Sequence, residues 1–167
     1  MKIHFIKHSD LDTYYLLKII DLKNQHWDYS TQEHEDWIKN NIAKDDFHLL
    51  LTDNNDILLA YLNMINIEVV QNLQIKISGF GIGNVCVDKG FNNKGLGLLL
   101  MQIANYHIKN LEKQGFLLCK TSLISFYKKA NWQLFDGEFL VNHENIEAKL
   151  MYLLPISEKL ISINKKF

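Results

Sequence analysis

The segment VCVDKGFNNKGLG, Val85 to Gly97, passes from an apolar, strand-like tripeptide through a glycine-bearing turn into a leucine-rich stretch. A strand that ends in a tight turn and feeds a helix leaves unsatisfied N–H groups at the positive end of that helix. Such an end suits an anion. Gly95 and Gly97 allow close backbone approach, and Lys94 adds a formal positive charge. The same glycines serve equally well as plain turn formers, so spacing alone leaves both readings open. The segment is not a P-loop, because G-x-x-x-x-G-K-S/T is absent, and the dinucleotide fingerprint G-x-G-x-x-G is absent too.

Downstream, Leu96, Leu99, Leu100, Ile103, Ala104, Ile108 and Leu111 recur at helical spacing, with Gly115 as the expected C-cap. The short, wholly apolar run Phe116 to Cys119 predicts a strand inside a sheet, and a short helix is expected over Ser122 to Lys129. Trp132 to Val141 and Ala148 to Leu154 read as a closing strand pair. Upstream, Ile75 to Val87 is a strand interrupted by Gly79, Gly81 and Gly83, a pattern that marks a bulge or a close approach of backbone or ligand. Phe47 to Thr52 and Ile57 to Ile67, joined by Asp53-Asn54-Asn55-Asp56, predict an antiparallel hairpin.

At the N-terminal end, Lys2 to Ile6 reads as a first strand. Ser9-Asp10-Leu11-Asp12 offers a cap for a helix from Asp10 to Leu22, with Leu16, Leu17, Ile19 and Ile20 inward. Ser30-Thr31-Gln32-Glu33 is a second capping box, opening a helix that carries Trp37, Ile38 and Ile42. Between them, Lys23 to Ser30 reads as a loop rich in aromatic and hydrogen-bonding groups. A helix joins the strand before the Val85–Gly97 turn to the strand after it, so those two strands should be parallel while the hairpins are antiparallel. The fold class is α/β in the mixed α+β sense: a mostly antiparallel mixed sheet with a central parallel pair, flanked by helices.

The 167 residues predict one domain, residues 1–167, able to bury a core without staples. With 18 basic and 19 acidic side chains there is no field of one sign, which gives no support to nucleic-acid or membrane binding. Cys86 and Cys119 lie in apolar strand-like runs where a buried free thiol is the common state, so a cytoplasmic location is expected. Neither an apolar leader nor an apolar run of about 18 residues is visible. The histidines show neither HExxH nor Cys/His ligand spacing, so no metal is expected.

The whole constellation narrows the reading. VCVDKGFNNKGLG, a leucine-rich helix, a short apolar strand and then Phe126-Tyr127-Lys128-Lys129-Ala130-Asn131-Trp132 resemble the GCN5-related N-acetyltransferases. In that family a turn of pattern Arg/Gln-x-x-Gly-x-Gly/Ala binds the pyrophosphate of acetyl-CoA, and a later Phe-Tyr-x-Lys-x-Gly-Phe/Trp places a tyrosine beside the thioester sulfur. The element order covers nearly the whole chain, and the motifs cover Gly83 to Trp132. Two positions depart from the pattern. Asn92 stands where Arg or Gln is usual, and Asn131 stands at the usual glycine, where asparagine tolerates left-handed backbone angles. Gly115 to Gly137 with Met151 to Ile156 also looks like the C-terminal half of aminoglycoside 2'-N-acetyltransferase-like members.

The resemblance implies acetyl transfer from acetyl-CoA to a primary amine of a small molecule, by direct attack in a ternary complex. It assigns Val85, Cys86 and Val87 to the pantetheine arm, Asn92, Asn93, Lys94, Gly95, Leu96 and Gly97 to the pyrophosphate, and Lys129 to a cofactor phosphate or to solvent. Tyr127 becomes the proton donor to the leaving sulfur, with packing of the short helix as the alternative. Trp27, Asp28 and Tyr29 become acceptor contacts or, for the aromatics, a plug at the core edge, and Asn84 a water-positioning group. No carboxylate lies in Gly79 to Asn84, where relatives carry a glutamate base. The base must come from elsewhere, chiefly His26, Asp28, Glu33 or His34, unless the acceptor amine needs none. Competing readings are a non-catalytic acyl-CoA sensor, an acetyltransferase acting on a protein amine, and a plain interaction domain. Members of the family commonly pair as homodimers.

Overall fold

The computed structural model describes residues 1–72 and 74–167. Its elements are β1 Lys2–Lys7, α1 Thr13–Asn24, α2 Thr31–Asn41, β2 Phe47–Thr52, β3 Leu58–Gln71, β4 Ile75–Val87, α3 Leu96–Asn110, β5 Gln114–Cys119, α4 Ile124–Lys129, β6 Gln133–Leu134, β7 Glu138–Val141, β8 Lys149–Tyr152 and β9 Leu160–Ile163. Two compact units contain them: Met1–Ile65 with Gly83–Leu100, and Asn66–Ile82 with Met101–Phe167. β3, β4 and α3 contribute residues to both.

In the first unit β1 pairs antiparallel with β2 from Lys2↔Thr52 to Lys7↔Phe47, and β2 pairs antiparallel with β3. Ile19, Leu22, Leu50, Leu58, Tyr61 and Cys86 form a core cluster with Ile6, Leu11, Tyr15 and Trp27 packed against it. The cap of α1 differs from expectation. Ser9 turns its hydroxyl to Asp10, residues His8–Asp10 make a single 3-10 turn, and the carboxylate of Asp12 accepts the amide of Tyr15 at 2.8 Å, so the helix starts at Thr13. Leu17 is exposed, not inward. It sits about 100° around the helix from Leu16, outside the stripe that carries Ile19, Ile20 and Lys23. The α2 capping box is present as expected, with Ser30 and Glu33 exchanging bonds.

A polar chain leads from the half-buried His8 into this core: His8 Nδ1 lies 2.9 Å from the buried His48 Nε2, and His48 Nδ1 lies 2.8 Å from the Tyr61 hydroxyl. Burial, followed by His8 and the Lys23 cation, lowers the His48 imidazole to about 3.

In the second unit β4 and β5 are parallel, from Gly79↔Gln114 to Ile82↔Leu117, which is the parallel pair that the crossover helix demands. α3 ends at Asn110, not near Gly115. Glu112 adopts φ 52°, the Lys113 amide donates to Ile108 and the Glu112 amide to Lys109. That is a Schellman end with glutamate in the left-handed position. Gly115 belongs to β5 instead, and Leu111 at the helix end is exposed.

The closing strands are also rearranged. The expected Trp132–Val141 strand is two strands, β6 and β7. β6 pairs antiparallel with β8, and β8 with β5. β7 instead pairs parallel with β9, a strand without a sequence-based expectation, and β9 pairs antiparallel with the end of β3. Gly137 makes the β7–β9 approach tolerable, because a Cβ there would run into the backbone carbonyl of Lys159.

Two outcomes follow from this packing. Gly137→Ala should lose about 1–3 kcal/mol of stability in urea denaturation, the usual range for overpacking. Because the neutral form of His48 is the one the fold accepts, stability should be complete above pH 6.5 and decline as pH falls toward about 3. His8, also lowered by burial, acts in the same direction, and urea titrations of wild type and His48→Gln across that window should show the variant's profile to be flatter.

Candidate functional site

β4 makes the site possible by not being regular. Asn84 sits inside the strand at φ 53°, two residues beyond the last parallel pair, Ile82↔Leu117, and donates its side-chain amide to Asn63 Oδ1 at 2.9 Å. The sequence placed the irregularity on the glycines. Among the described residues the only glycine at positive φ is Gly95. Gly79 and Gly81 serve close approach: Gly79 faces the Gln114 carbonyl and the Phe116 ring, while the Phe167 ring lies directly over Gly81.

β4 continues through Val85, Cys86 and Val87. Cys86 points into the core beside Leu22, its thiol pushed up to about 12 by burial, while Val85 and Val87 are half-buried. His26 Nε2 lies 2.7 Å from the carbonyl of Val87. A carbonyl only accepts, so Nε2 carries the proton.

The turn is held by side chains. Asp88 accepts the Gly90 amide at 2.8 Å through Oδ1 and the Gln25 side-chain amide at 2.8 Å through Oδ2, and the Lys89 amide donates to Gln25 Oε1 at 2.9 Å. Gln25, immediately after α1, thus fixes both ends of the turn's first step. Asn92 and Asn93 are exposed, Asn93 at φ 62° and Gly95 at φ 78°. Lys94 places its ammonium 4.5 Å above the Phe91 ring. The α3 ladder opens with the Leu99 amide on the Gly95 carbonyl at 3.0 Å, so the amides of Leu96, Gly97 and Leu98 precede it. A Cβ at Gly95 would meet nothing within 4 Å. Leading amides, a nearby cation and open space beside the backbone fit a phosphate-bearing ligand.

The loop after α1 sorts differently. Trp27 packs on the core cluster, Asp28 and Tyr29 are exposed, and the Tyr29 ring meets the His34 ring edge-on at 5.6 Å. Glu33 is committed to its capping box, accepting both the amide and the hydroxyl of Ser30, and these bonds hold its carboxyl below the usual range. His34 is buried, bonded to the Trp27 backbone, and lowered by burial and by the Lys23 cation. Its Nε2 reaches no partner among the described residues.

The second unit holds Tyr127 and Lys129. Tyr127 is buried on α4, its carbonyl capping the helix by accepting the amides of Ala130 and Trp132. Burial, then the Cys119 thiol, pushes its hydroxyl up to about 12, so it remains a proton donor at neutral pH. Asn131 adopts φ 66°, the left-handed angle expected of it, and Lys129 is exposed. Trp132 is locked by its indole N–H to Asn105, whose amide bonds the Ala130 carbonyl.

Three residues of this arrangement escaped the sequence reading. Gln25 and Lys23 fell in a segment taken as loop, although Lys23 continues the Ile19–Ile20 stripe at helical spacing, and a lysine on an apolar stripe is a signal. Asn63 interrupts the apolar run LLAYLNMINI, which is the same kind of signal.

No family model and no curated protein matches the chain. Solved structures do. ElaA of Escherichia coli is similar over 91% of this chain and 99% of its own, with 21% identity and a TM-score of 0.66. The GNAT-family N-acetyltransferase YhbS of Escherichia coli, in complex with CoA, is similar over 97% of this chain and 89% of its own, at 13% identity and TM-score 0.67. An aminoglycoside 6'-N-acetyltransferase complexed with coenzyme A matches 95% of this chain and 100% of its own, at 14% identity and TM-score 0.63. These likenesses establish the fold as that of the GCN5-related N-acetyltransferases.

If Gln25 fixes the turn, Gln25→Ala should speed hydrogen exchange at the Lys89 amide by about fivefold, matching one lost hydrogen bond of about 1 kcal/mol. Amides in the α2 helix should be unchanged.

Proposed function

We propose that residues 1–167 act as one acyltransferase domain that moves the acetyl group of acetyl-CoA to a primary amine of a small molecule, by direct attack in a ternary complex. The observation that carries this reading is the turn from Asp88 to Gly97, braced by side chains over Asp88 to Gly90 and ending in the leading amides of α3. Asn92, Asn93, Lys94, Gly95, Leu96 and Gly97 would hold the pyrophosphate through backbone donors, with Lys94 adding charge. Asn92 contributes no cation where the family pattern has Arg or Gln, so the amides carry more of the binding. Val85 and Cys86 offer backbone groups to the pantetheine arm, and the Val87 carbonyl is already taken by His26. Lys129 is assigned to a phosphate.

Acetyl-CoA supplies the activated thioester carbonyl. The chain's own task is to hold and move protons around it. Tyr127, whose buried hydroxyl keeps its proton well above neutral pH, is suited to give a proton to the departing sulfur. Of the base candidates, Glu33 is committed to its cap, whereas Asp28 is exposed, His26 uses only its Nε2–H on Val87 and keeps its basic lone pair on Nδ1, and the Nε2 of His34 is unengaged among the described residues. Trp27, Asp28, Tyr29 and Asn84 are the acceptor side of the proposal. A cytoplasmic location and homodimer formation remain part of it. Among the described residues no helix is long and apolar enough to cross a membrane, and no cluster of metal-ligating side chains is found.

The absence of a carboxylate on β4 from Gly79 to Val87 supports a second reading, an acyl-CoA sensor without turnover. One comparison separates them. Calorimetry should give saturable acetyl-CoA binding that exceeds binding of the free nucleotide portion. In an enzyme Tyr127→Phe lowers turnover about a hundredfold while leaving acetyl-CoA affinity within about threefold. No saturation at millimolar acetyl-CoA would refute both readings, and binding without turnover toward any amine would select the sensor.

A further inference from the structure

A cavity of about 570 Å³ lies in the first unit, lined by α1, α2 and the segments that precede and follow them, and its volume is in the range of small-molecule sites. Its lining shares no residue with the proposed cofactor turn or with Trp27, Asp28 and Tyr29. Leu16 of α1 and the buried Ile38 and Ile42 give it an aliphatic floor. Polar groups stand toward its two ends. The half-buried Glu35 and the exposed Asp36, whose Oδ1 accepts the Gln32 side-chain amide at 2.9 Å, come from the first half of α2. Lys39 follows in its last turn. Lys44 and His8 lie past the helix end and beside one another, because the Ser9 amide donates to the Lys44 carbonyl at 3.1 Å and the His8 amide to the Asp46 carbonyl at 2.8 Å. From Glu35 to the end of α2 the helix rises about 9 Å at 1.5 Å per residue.

The chemistry of the second end is set from inside the core. Tyr61 is buried and keeps its proton, and among the described residues its hydroxyl meets only His48 Nδ1, at 2.8 Å, so it donates there. The neutral His48 ring then carries its one proton on Nε2, which donates to His8 Nδ1 at 2.9 Å. His8, which burial lowers and keeps neutral at pH 7, therefore has its own proton on Nε2. The buried Asp46 carboxylate, which partly offsets that lowering, is occupied by the Ala43 amide at 2.7 Å. His8 thus accepts from the core on one edge of its ring and keeps an N–H donor on the other edge for the cavity it lines.

One end of the cavity offers carboxylates, the other an imidazole N–H with an ammonium, and the floor between them is apolar. Glu35 and Asp36 balance Lys39 and Lys44, so the lining as a whole favours neither sign. A ligand that complements it carries both charges, one at each end of an apolar body. We infer that this cavity binds a linear aliphatic zwitterion, its ammonium at Glu35 and Asp36 and its carboxylate at His8 Nε2–H and Lys44. The inference goes beyond acetyl transfer and does not depend on acetyl-CoA.

The test uses the whole chain with isotope-labelled histidine, following by NMR the His8 ring signals, assigned from their loss in His8→Gln. The probes, titrated without acetyl-CoA, are 6-aminohexanoate and its two halves, hexanoate and hexylamine. The zwitterion should shift the His8 signals saturably and bind about tenfold or more tightly than either half, as the loss of one charge-assisted contact at either end requires. The double variant Glu35→Gln with Asp36→Asn should bring 6-aminohexanoate to within about twofold of hexanoate. Lys44→Ala should weaken both carboxylate probes by about fivefold, the upper range for an exposed ion pair, and leave hexylamine unchanged. If Lys44→Ala disturbs the other histidine signals, Lys44→Gln is read in its place. No saturable shift at His8, equal affinity for the three probes, or zwitterion binding unaltered in the variants overturns the inference. Acetyl-CoA binding, measured separately, decides the acetyltransferase reading and not this one.

Discussion

One residue in the wrong half of the backbone map organises the first unit. Asn84 holds φ 53° in the interior of a thirteen-residue strand, a conformation that costs a non-glycine residue about 1–3 kcal/mol. Its hydrogen bond to Asn63 returns about 1 kcal/mol, and asparagine is among the side chains least penalised there. The break divides the labour of β4. Residues up to Ile82 hold the parallel ladder with β5, while Val85 to Val87 lead into the turn, packing Cys86 inward and presenting Val87 to His26. A regular strand would have continued the ladder and left no reason for the chain to leave it.

The first step of the turn that follows is held by side chains. Asp88 uses both carboxylate oxygens, one on the Gly90 amide and one on Gln25, and Gln25 answers with its own oxygen on the Lys89 amide. The residue after α1 therefore fixes the first step of the turn that leads toward α3. This matters for binding, because leading amides attract an anion usefully only when they are held in place before it arrives. Lys94 rests on Phe91, so its charge stays beside the turn instead of being spread through solvent.

What could be read from the sequence followed how local each cause was. The hairpin β2–β3, the span Ile75–Val87, the Ser30 capping box and the left-handed Asn131 all depend on neighbours a few residues away, and the sequence reading and the structure agree on them. The crossover helix made β4 and β5 parallel by chain geometry alone. The readings that failed rest on partners distant in sequence. Glu112 takes the left-handed cap position although Gly115 stood nearby, because Gly115 is already a strand residue, paired with Phe80 in the β4–β5 ladder. β7 joins β9 and not β8, and nothing in Glu138–Val141 states that preference. The candidate site divides the same way. The turn is written in one continuous segment, whereas its brace, Gln25, comes from 63 positions away in sequence.

Lys23 shows what burying a charged side chain costs. Removing an ammonium from water costs several kcal/mol, and its contact with Trp37 recovers about 2 kcal/mol when desolvated. The deficit appears as the lowering of the amine to about 8, which means that part of the population sheds its charge near neutrality. A methionine would fill the same space without that penalty, as buried ion-to-hydrophobe replacements commonly do. Retaining the amine therefore leaves the first unit less stable than an apolar side chain of the same length would, and the Lys23 cation in turn helps to hold the imidazoles of His34 and His48 below their ordinary range.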